Sequence, residues 1–307
     1  MLTGRSVSAG NPIQAESLPK VVKQGEACLI RVPGPVSPRP IALGFQGRRI
    51  PLVFSEQSGT HEGLIGIDMV AQPSTYEVNV IVKDGGSDVH LTSLSLRVEK
   101  VEFGVEKLTL PSSMVDLDRK TQVRVSQEEK LLTALFGTFR EERLWEGAFI
   151  CPVEGELSGA FGVSRIINGQ PRSPHSGIDL RAKEGTPVLA SAGGVVVLAR
   201  PLFFSGNSVI LDHGWGFYSM YFHLSEVRVR DGERVAKETR LGRVGSSGRS
   251  TGPHLHWGIR MNGARVDPLS ILKLEDKSQK TGFNPATNVR TDTFLHFAPK
   301  CVRCLTS

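Results

Sequence analysis

Residues 206–235 read GNSVILDHGWGFYSMYFHLSEVRVRDGERV. Apolar and polar residues alternate here in short runs, and turn signals break the runs: Gly214 and Gly216 bracket one, and Asp231-Gly232 marks another. A period of two is the period of a strand, not of a helix. The stretch therefore predicts strands joined by tight turns, with His223 at the end of an apolar run. The same pattern continues on both sides, in GTPVLASAGGVVVLAR (185–200) and ETRLGRVGSSG (238–248). A β domain is expected over residues 150–274.

Two flanking phrases add chemistry to that sheet. Residues 174–179 read PHSGID and residues 252–257 read GPHLHW. His254 and His256 are two residues apart, so on a strand both imidazoles project from one face toward one cavity. His175 and Asp179 flank Ser-Gly-Ile, where Gly177 is expected to let the backbone bend so that both side chains converge. Together these two phrases can bring two imidazoles and one carboxylate to a single metal ion. Three protein ligands with a fourth position left for water is what a catalytic zinc site needs, whereas a structural site is usually closed by four. The chain has 8 histidines, and five fall between His175 and His256, a concentration that scattered structural histidines do not explain.

The N-terminal part is β-like too. From Leu18 to about residue 110, ACLIRV, RRIPLVF, GLIGIDM and YEVNVIV are separated by turns such as KDGGSD. An Ig-like β-sandwich domain is expected over 18–110, after a flexible lead-in over 1–17. It carries no cluster of catalytic residue types. His61 and His90 read as isolated strand or surface histidines, and His61-Glu62 starts like HExxH but lacks the second histidine. Between the two β regions, Leu131, Leu132, Leu135, Phe136 and Phe139 recur at helical spacing. They predict a helical connector within 111–149, with its main helix between about 125 and 142. Its Leu131, Leu135 and Phe139 stripe is expected to pack between domains. The fold class is thus mainly β: a sandwich-like N-terminal domain, a helical connector and a C-terminal β-sheet domain.

Composition narrows the partners. The 307-residue chain is long enough for two domains, and its net charge of +6 suits an anionic environment. No basic run is interleaved with aromatics, so no nucleic-acid partner is expected. No stretch reaches the roughly 18 to 20 apolar residues of a membrane span, and residues 1–20 contain no apolar signal region. Four cysteines (Cys28, Cys151, Cys301, Cys304) are too few and too scattered for a disulfide framework. Cys301 and Cys304 have CxxC spacing, half of a zinc site, within a tail over 275–307.

H-x-x-x-D in PHSGID, the later YFHLS phrase and GPHLHW together resemble the M23 family of zinc metallopeptidases (lysostaphin-type, LytM domain). The resemblance spans residues 151–272, and the order and spacing of the motifs agree with it. It implies a LytM-type β-sheet domain and one Zn2+ held by His175, Asp179 and His256. It implies His223 and His254 as the catalytic, non-ligating pair that polarises water and steadies the transition state. It further implies cleavage of peptidoglycan peptide stems by a chain expected to be monomeric, in the cell envelope or periplasm or secreted. The alternative is a catalytically silent module that binds cell wall or activates another wall hydrolase; the complete histidine set argues against it. Some relatives place a tyrosine before the first ligand. IINGQPRSP has none, so Arg165, Asn168 or Arg172 is expected to stand in. Asn207 and His213 are expected to be structural, and the VGSSGRSTG loop is expected to carry His254 to the metal.

Overall fold

The computed structural model describes residues 14–34, 40–56, 58–84, 86–109 and 117–273. The tail with its CxxC pair, and most of the lead-in, lie outside the described residues.

Alternating sequence becomes two sheets at the N-terminal end. The strands are β1 (Glu16–Leu18), β2 (Val21–Lys23), β3 (Ala27–Pro33), β4 (Ile41–Phe45), β5 (Arg48–Pro51), β6 (Val53–Ser55), β7 (Thr60–Gly66), β8 (Ser74–Asp84) and β9 (Ser87–Glu99). One sheet has the order β1-β3-β7-β6 and the other β2-β9-β8-β4-β5. Their inward residues form one core: Cys28, Ile30 and Ile65 from the first sheet, and Leu43, Val78, Val80 and Leu96 from the second, all fully buried. Each such side chain contributes roughly 1.5–3 kcal/mol by leaving water. Burial pushes the free thiol of Cys28 up to about 12, while Cys151 is disulfide-bonded.

An extended segment, β10 (Val105–Leu108), leads out of the sandwich to the helix α1 (Arg119–Phe136). The helix starts earlier than its apolar spacing suggested, because the Asp118 carboxylate accepts the Thr121 N–H at 2.7 Å and caps it. It stops at Gly137, short of the expected end, where the Gly137 N–H closes on the Thr133 carbonyl. Leu132, Leu135 and Phe136 pack against Leu198, Leu202, Ile210, Tyr218 and Met220. Leu131, expected in that stripe, is instead 41% exposed. The helix therefore covers the C-terminal sheet alone, and Phe139 just beyond it touches both large cores.

The remaining strands are β11 (Glu156–Gly159), β12 (Ser164–Ile167), β13 (Gln170–Arg172), β14 (Gly177–Arg181), β15 (Pro187–Leu189) and β16 (Gly194–Leu202). They are followed by β17 (Gly206–Gly214), β18 (Phe217–Val227), β19 (Arg234–Val235), β20 (Arg240–Val244), β21 (His254–Met261), β22 (Ala264–Val266) and the short α2 (Pro268–Ile271). The main sheet runs β11-β14-β21-β18-β17-β16-β19. Ile178, Leu180, Tyr221, Leu255 and Trp257 bury one of its faces in a core that also takes in Trp145, Phe149 and the sandwich residues Ala27 and Leu64. On the other face, Tyr218, Met220 and Phe222 stand opposite Arg260, Gly258 and His256. Cross-strand partners share a face, so α1 and the histidine cluster occupy the same side of the sheet.

The sandwich is fixed to the end of β21 remote from His256. Asn262 Nδ2 donates to the Leu64 carbonyl at 2.7 Å, and Arg265 makes a two-pronged pair with Asp68 at 3.0 and 2.6 Å. Met261 lies five steps along the strand from His256, roughly 17 Å at 3.3–3.4 Å per residue.

Candidate metal and catalytic site

Asp179 and His256 are direct cross-strand partners on β14 and β21, which places carboxylate and imidazole side by side on one face. His175 arrives from the loop just before β14. Its backbone is clamped by His175 N–H to the Val163 carbonyl at 2.9 Å and by Gly162 N–H to the His175 carbonyl at 2.8 Å. The three donor atoms nearly touch. His175 Nε2 lies 3.0 Å from Asp179 Oδ1 and 3.0 Å from His256 Nδ1, and His256 Nδ1 lies 2.8 Å from Asp179 Oδ1. His175, Asp179 and His256 are the one group of three metal-capable side chains among the described residues, all ligand atoms within 4.8 Å of one another.

Hydrogen bonds behind the donors decide whether this triangle suits a cation. His175 Nδ1 sits 2.8 Å from the Ala160 carbonyl, which can only accept, so Nδ1 carries the proton and Nε2 keeps a lone pair. That lone pair faces a carboxylate oxygen at 3.0 Å, a repulsive contact for protein atoms alone and a favourable one around a shared cation. A carbonyl fixing the far nitrogen of a ligating histidine is also what metal sites use to orient their ligands. Burial would raise the Asp179 pKa, but the His175 and His256 rings set against it outweigh burial and hold the carboxyl well below its ordinary range. Its second oxygen, Oδ2, accepts from Arg165 Nη2 at 3.1 Å. The donor set fits a divalent metal with nitrogen and oxygen preference.

Glycines clear the space rather than bend the chain. Gly177 has no positive φ, contrary to the role expected for it. A Cβ there would lie 2.4 Å from the Trp257 carbonyl oxygen and 2.8 Å from His256 Nε2. At Gly159 a Cβ would meet Asp179 Oδ2 at 2.5 Å.

His223 and His254 stand beside the triangle with ring centroids 4.8 Å apart. His223 sits where the β17–β18 register slips between Asn207 and Val209, at φ 63°, an unusual value for a non-glycine residue. Such a bulge re-aims a side chain. The residue is thus turned toward the site by a local defect, not simply by its place at a sheet end. The loop 245–252 anchors both rings: His223 Nδ1 donates to the Ser247 carbonyl at 2.8 Å and His254 Nδ1 to the Gly252 carbonyl at 2.8 Å. Each keeps Nε2 as its lone-pair nitrogen, and His254 Nε2 lies 3.8 Å from Asp179 Oδ1. Burial, reinforced by the neighbouring His256, lowers the His223 pKa to about 3.

The other singled-out residues are structural. Asn207 Nδ2 donates to the Leu224 carbonyl at 2.9 Å, and buried His213 bonds the Gly193 carbonyl and Ser219 Oγ, both at 2.7 Å. Glu62 is buried against Arg31 at 2.8 Å, and His61 lies against Phe54, outside the one metal-capable group found among the described residues. His90 bonds Ser93 Oγ at 2.7 Å. Asn168 forms a two-residue hairpin turn with Gly169, at φ 51° and 78°. Reading the sequence missed Arg249, whose guanidinium lies 4.1 Å over the Phe204 ring, and the Ser247 and Gly252 carbonyls. No motif marks a backbone acceptor, though the Asn-Gly pair in INGQ was a legible hairpin signal.

Comparison with known proteins meets this geometry. Residues 173–268 match the model of Peptidase family M23, a span that encloses His175, Asp179, His223, His254 and His256. The chain is 40% identical over 121 residues to peptidoglycan DD-endopeptidase ShyA of Vibrio cholerae, covering 38% of this chain and 28% of that one. It is 45% identical over 97 residues to DD-carboxypeptidase/endopeptidase Mpg of Neisseria meningitidis, covering 32% and 22%. The chain thus spans under a third of the length of the curated relatives it matches. A crystal structure assigned to peptidase M23 from Pseudomonas aeruginosa superposes with a TM-score of 0.62 at 30% identity, over 81% of this chain and 94% of that one. With that fold shared across both regions and the family's segment enclosing the whole His–Asp–His cluster, the chain belongs to peptidase family M23.

Proposed function

We propose that this chain is a zinc-dependent endopeptidase that hydrolyses peptide cross-links of peptidoglycan at the cell envelope. The observation that carries this reading is the convergence of His175, Asp179 and His256 within 4.8 Å, with the His223–His254 pair at its edge. The relatives named as DD-endopeptidases support the substrate class. Among the described residues no helix is long and apolar enough to cross a membrane.

In this reading His175, Asp179 and His256 hold one zinc ion. A zinc ion there would supply Lewis-acid chemistry, polarising a peptide carbonyl and acidifying a water toward neutral pH. The protein's own groups do the rest. The Ala160 carbonyl holds His175 in one tautomer, and Arg165 restrains the second oxygen of Asp179. His223, with its pKa near 3, is uncharged at working pH and is a weak base; its part is to orient and hydrogen-bond. His254 takes the water proton and later returns it to the leaving amine through Nε2, the nitrogen its Nδ1 anchor leaves unprotonated. Neither ring can swing away without breaking its anchor to the 245–252 loop.

Purified sacculi incubated with the full chain test this reading, with fragment masses read out. Wild-type protein should release peptide fragments cut at cross-links, and a chelator or His175→Ala should stop the release. Intact cross-links after treatment with the zinc-loaded wild type would exclude the proposed substrate.

A further inference from the structure

Two arginines face each other beside the candidate metal centre. Arg165 and Arg172 are direct cross-strand partners on the β12–β13 hairpin. Like charges directly opposite on a sheet are destabilising, and only Arg165 is compensated, by Glu106 at 3.3 Å and Asp179 at 3.1 Å. Arg172 is exposed and donates to a neutral acceptor, Gln170 Oε1, at 3.0 Å.

A third guanidinium approaches on the loop that anchors the catalytic pair. Arg249 follows Ser247, the His223 anchor, by two residues; its N–H donates to the Phe204 carbonyl at 2.8 Å and its guanidinium stacks on the Phe204 ring. Burial first, and then the positive fields of Arg165 and Arg172, lower its pKa from the ordinary arginine value. The Phe204 wall is itself held in place: the neighbouring Phe203 N–H donates to Glu128 of α1 at 2.8 Å. Three guanidiniums therefore share one neighbourhood with two carboxylates, Glu106 and Asp179, before any metal adds its own charge. Neither Arg172 nor Arg249 has a carboxylate partner among the described residues. An arginine fork matches a carboxylate in two-pronged geometry, and a stacked guanidinium is pre-set for it.

We propose that Arg172 and Arg249 form a carboxylate-recognising subsite beside the metal centre, so that the preferred substrate is a peptide bearing a free carboxylate next to the scissile bond. This rests on the endopeptidase reading above and specifies which anionic peptides that site selects. Arg165 is committed to Asp179 and Glu106 and acts as a positioning residue, while Arg172 and Arg249 are left to take the substrate.

The test uses two synthetic cross-linked peptide stems that differ in one group: the carboxyl beside the scissile amide is free in one and a carboxamide in the other. The full zinc-loaded chain is compared with Arg172→Gln, Arg249→Gln, Arg249→Lys and the double glutamine variant. Wild type should prefer the free acid by roughly ten- to hundred-fold in kcat/KM, the range of a charge-assisted hydrogen bond. The double variant should lose most of that preference through a raised KM for the free acid, with a much smaller fall on the carboxamide. Arg249→Lys should keep part of it. Arg172 is exposed, so Arg172→Gln tests the subsite even where replacing Arg249 disturbs its loop. Equal wild-type rates on both peptides would overturn the proposal, as would variants that lose both substrates by the same factor, the mark of a structural role. If wild type cuts neither peptide, the endopeptidase reading fails and the subsite falls with it.

Discussion

His175 Nε2 lies 3.0 Å from His256 Nδ1, although 81 residues separate the two in sequence. Pairing of β14 with β21 creates that contact by setting Asp179 opposite His256, and the clamp on His175 from the 162–163 turn completes it. Because three chain segments must agree to form the triangle, removing any one donor should remove the metal.

His175→Ala is expected to retain no zinc after dialysis, because one imidazole and one carboxylate hold the ion poorly. His254→Ala should retain one zinc per chain. Elemental analysis of the two variants decides it; loss of metal from His254→Ala with retention in His175→Ala would reverse the roles assigned here.

His223→Ala and His254→Ala should lower kcat by roughly 100-fold or more, the scale of acid–base and oriented hydrogen-bond contributions, with zinc content unchanged. Either variant running within threefold of wild type would remove that histidine from the proposed machinery.

Gly177→Ala asks whether clearance is what the site needs. The added methyl would sit 2.4 Å from the Trp257 carbonyl oxygen and 2.8 Å from His256 Nε2, so β14 and β21 would have to part. A loss of about 2 kcal/mol in urea unfolding is expected, in the range of overpacking, with weakened zinc retention. A variant with wild-type stability and zinc affinity would show that the strands yield more easily than their packing implies.

Stability should also carry the signature of His213. Burial lowers its pKa from 6.5 to about 4. Between those two values the unfolded chain binds a proton that the folded chain does not, so its contribution is complete above pH 6.5 and is lost as pH falls toward 4. The difference amounts to roughly 3 kcal/mol. His213→Gln should flatten the fall of unfolding free energy across that window, whatever its own cost. Equal pH slopes in the two proteins would contradict this.

Strand period and turn glycines made the β class readable, and H-x-x-x-D with H-x-H named the side chains that meet. What stayed hidden depends on three-dimensional closeness that leaves no periodic trace. The aim of His223 comes from a bulge opposite Asn207 and Val209, and a register slip has no residue signature. Leu131 fitted the apolar spacing of α1 yet faces solvent, because the sheet beneath reaches only Leu132, Leu135 and Phe136. The place of the sandwich, tied to Leu64 and Asp68 at the far end of β21, is set by contacts nearly 200 residues apart.

Zinc titration of the chelated 307-residue chain tests the central claim most directly, with cross-link cleavage followed at each addition. Activity should be absent at the start, rise linearly and break at one equivalent of zinc per chain. Full cleavage by the metal-free protein, or a titration without a break at one equivalent, would contradict the account.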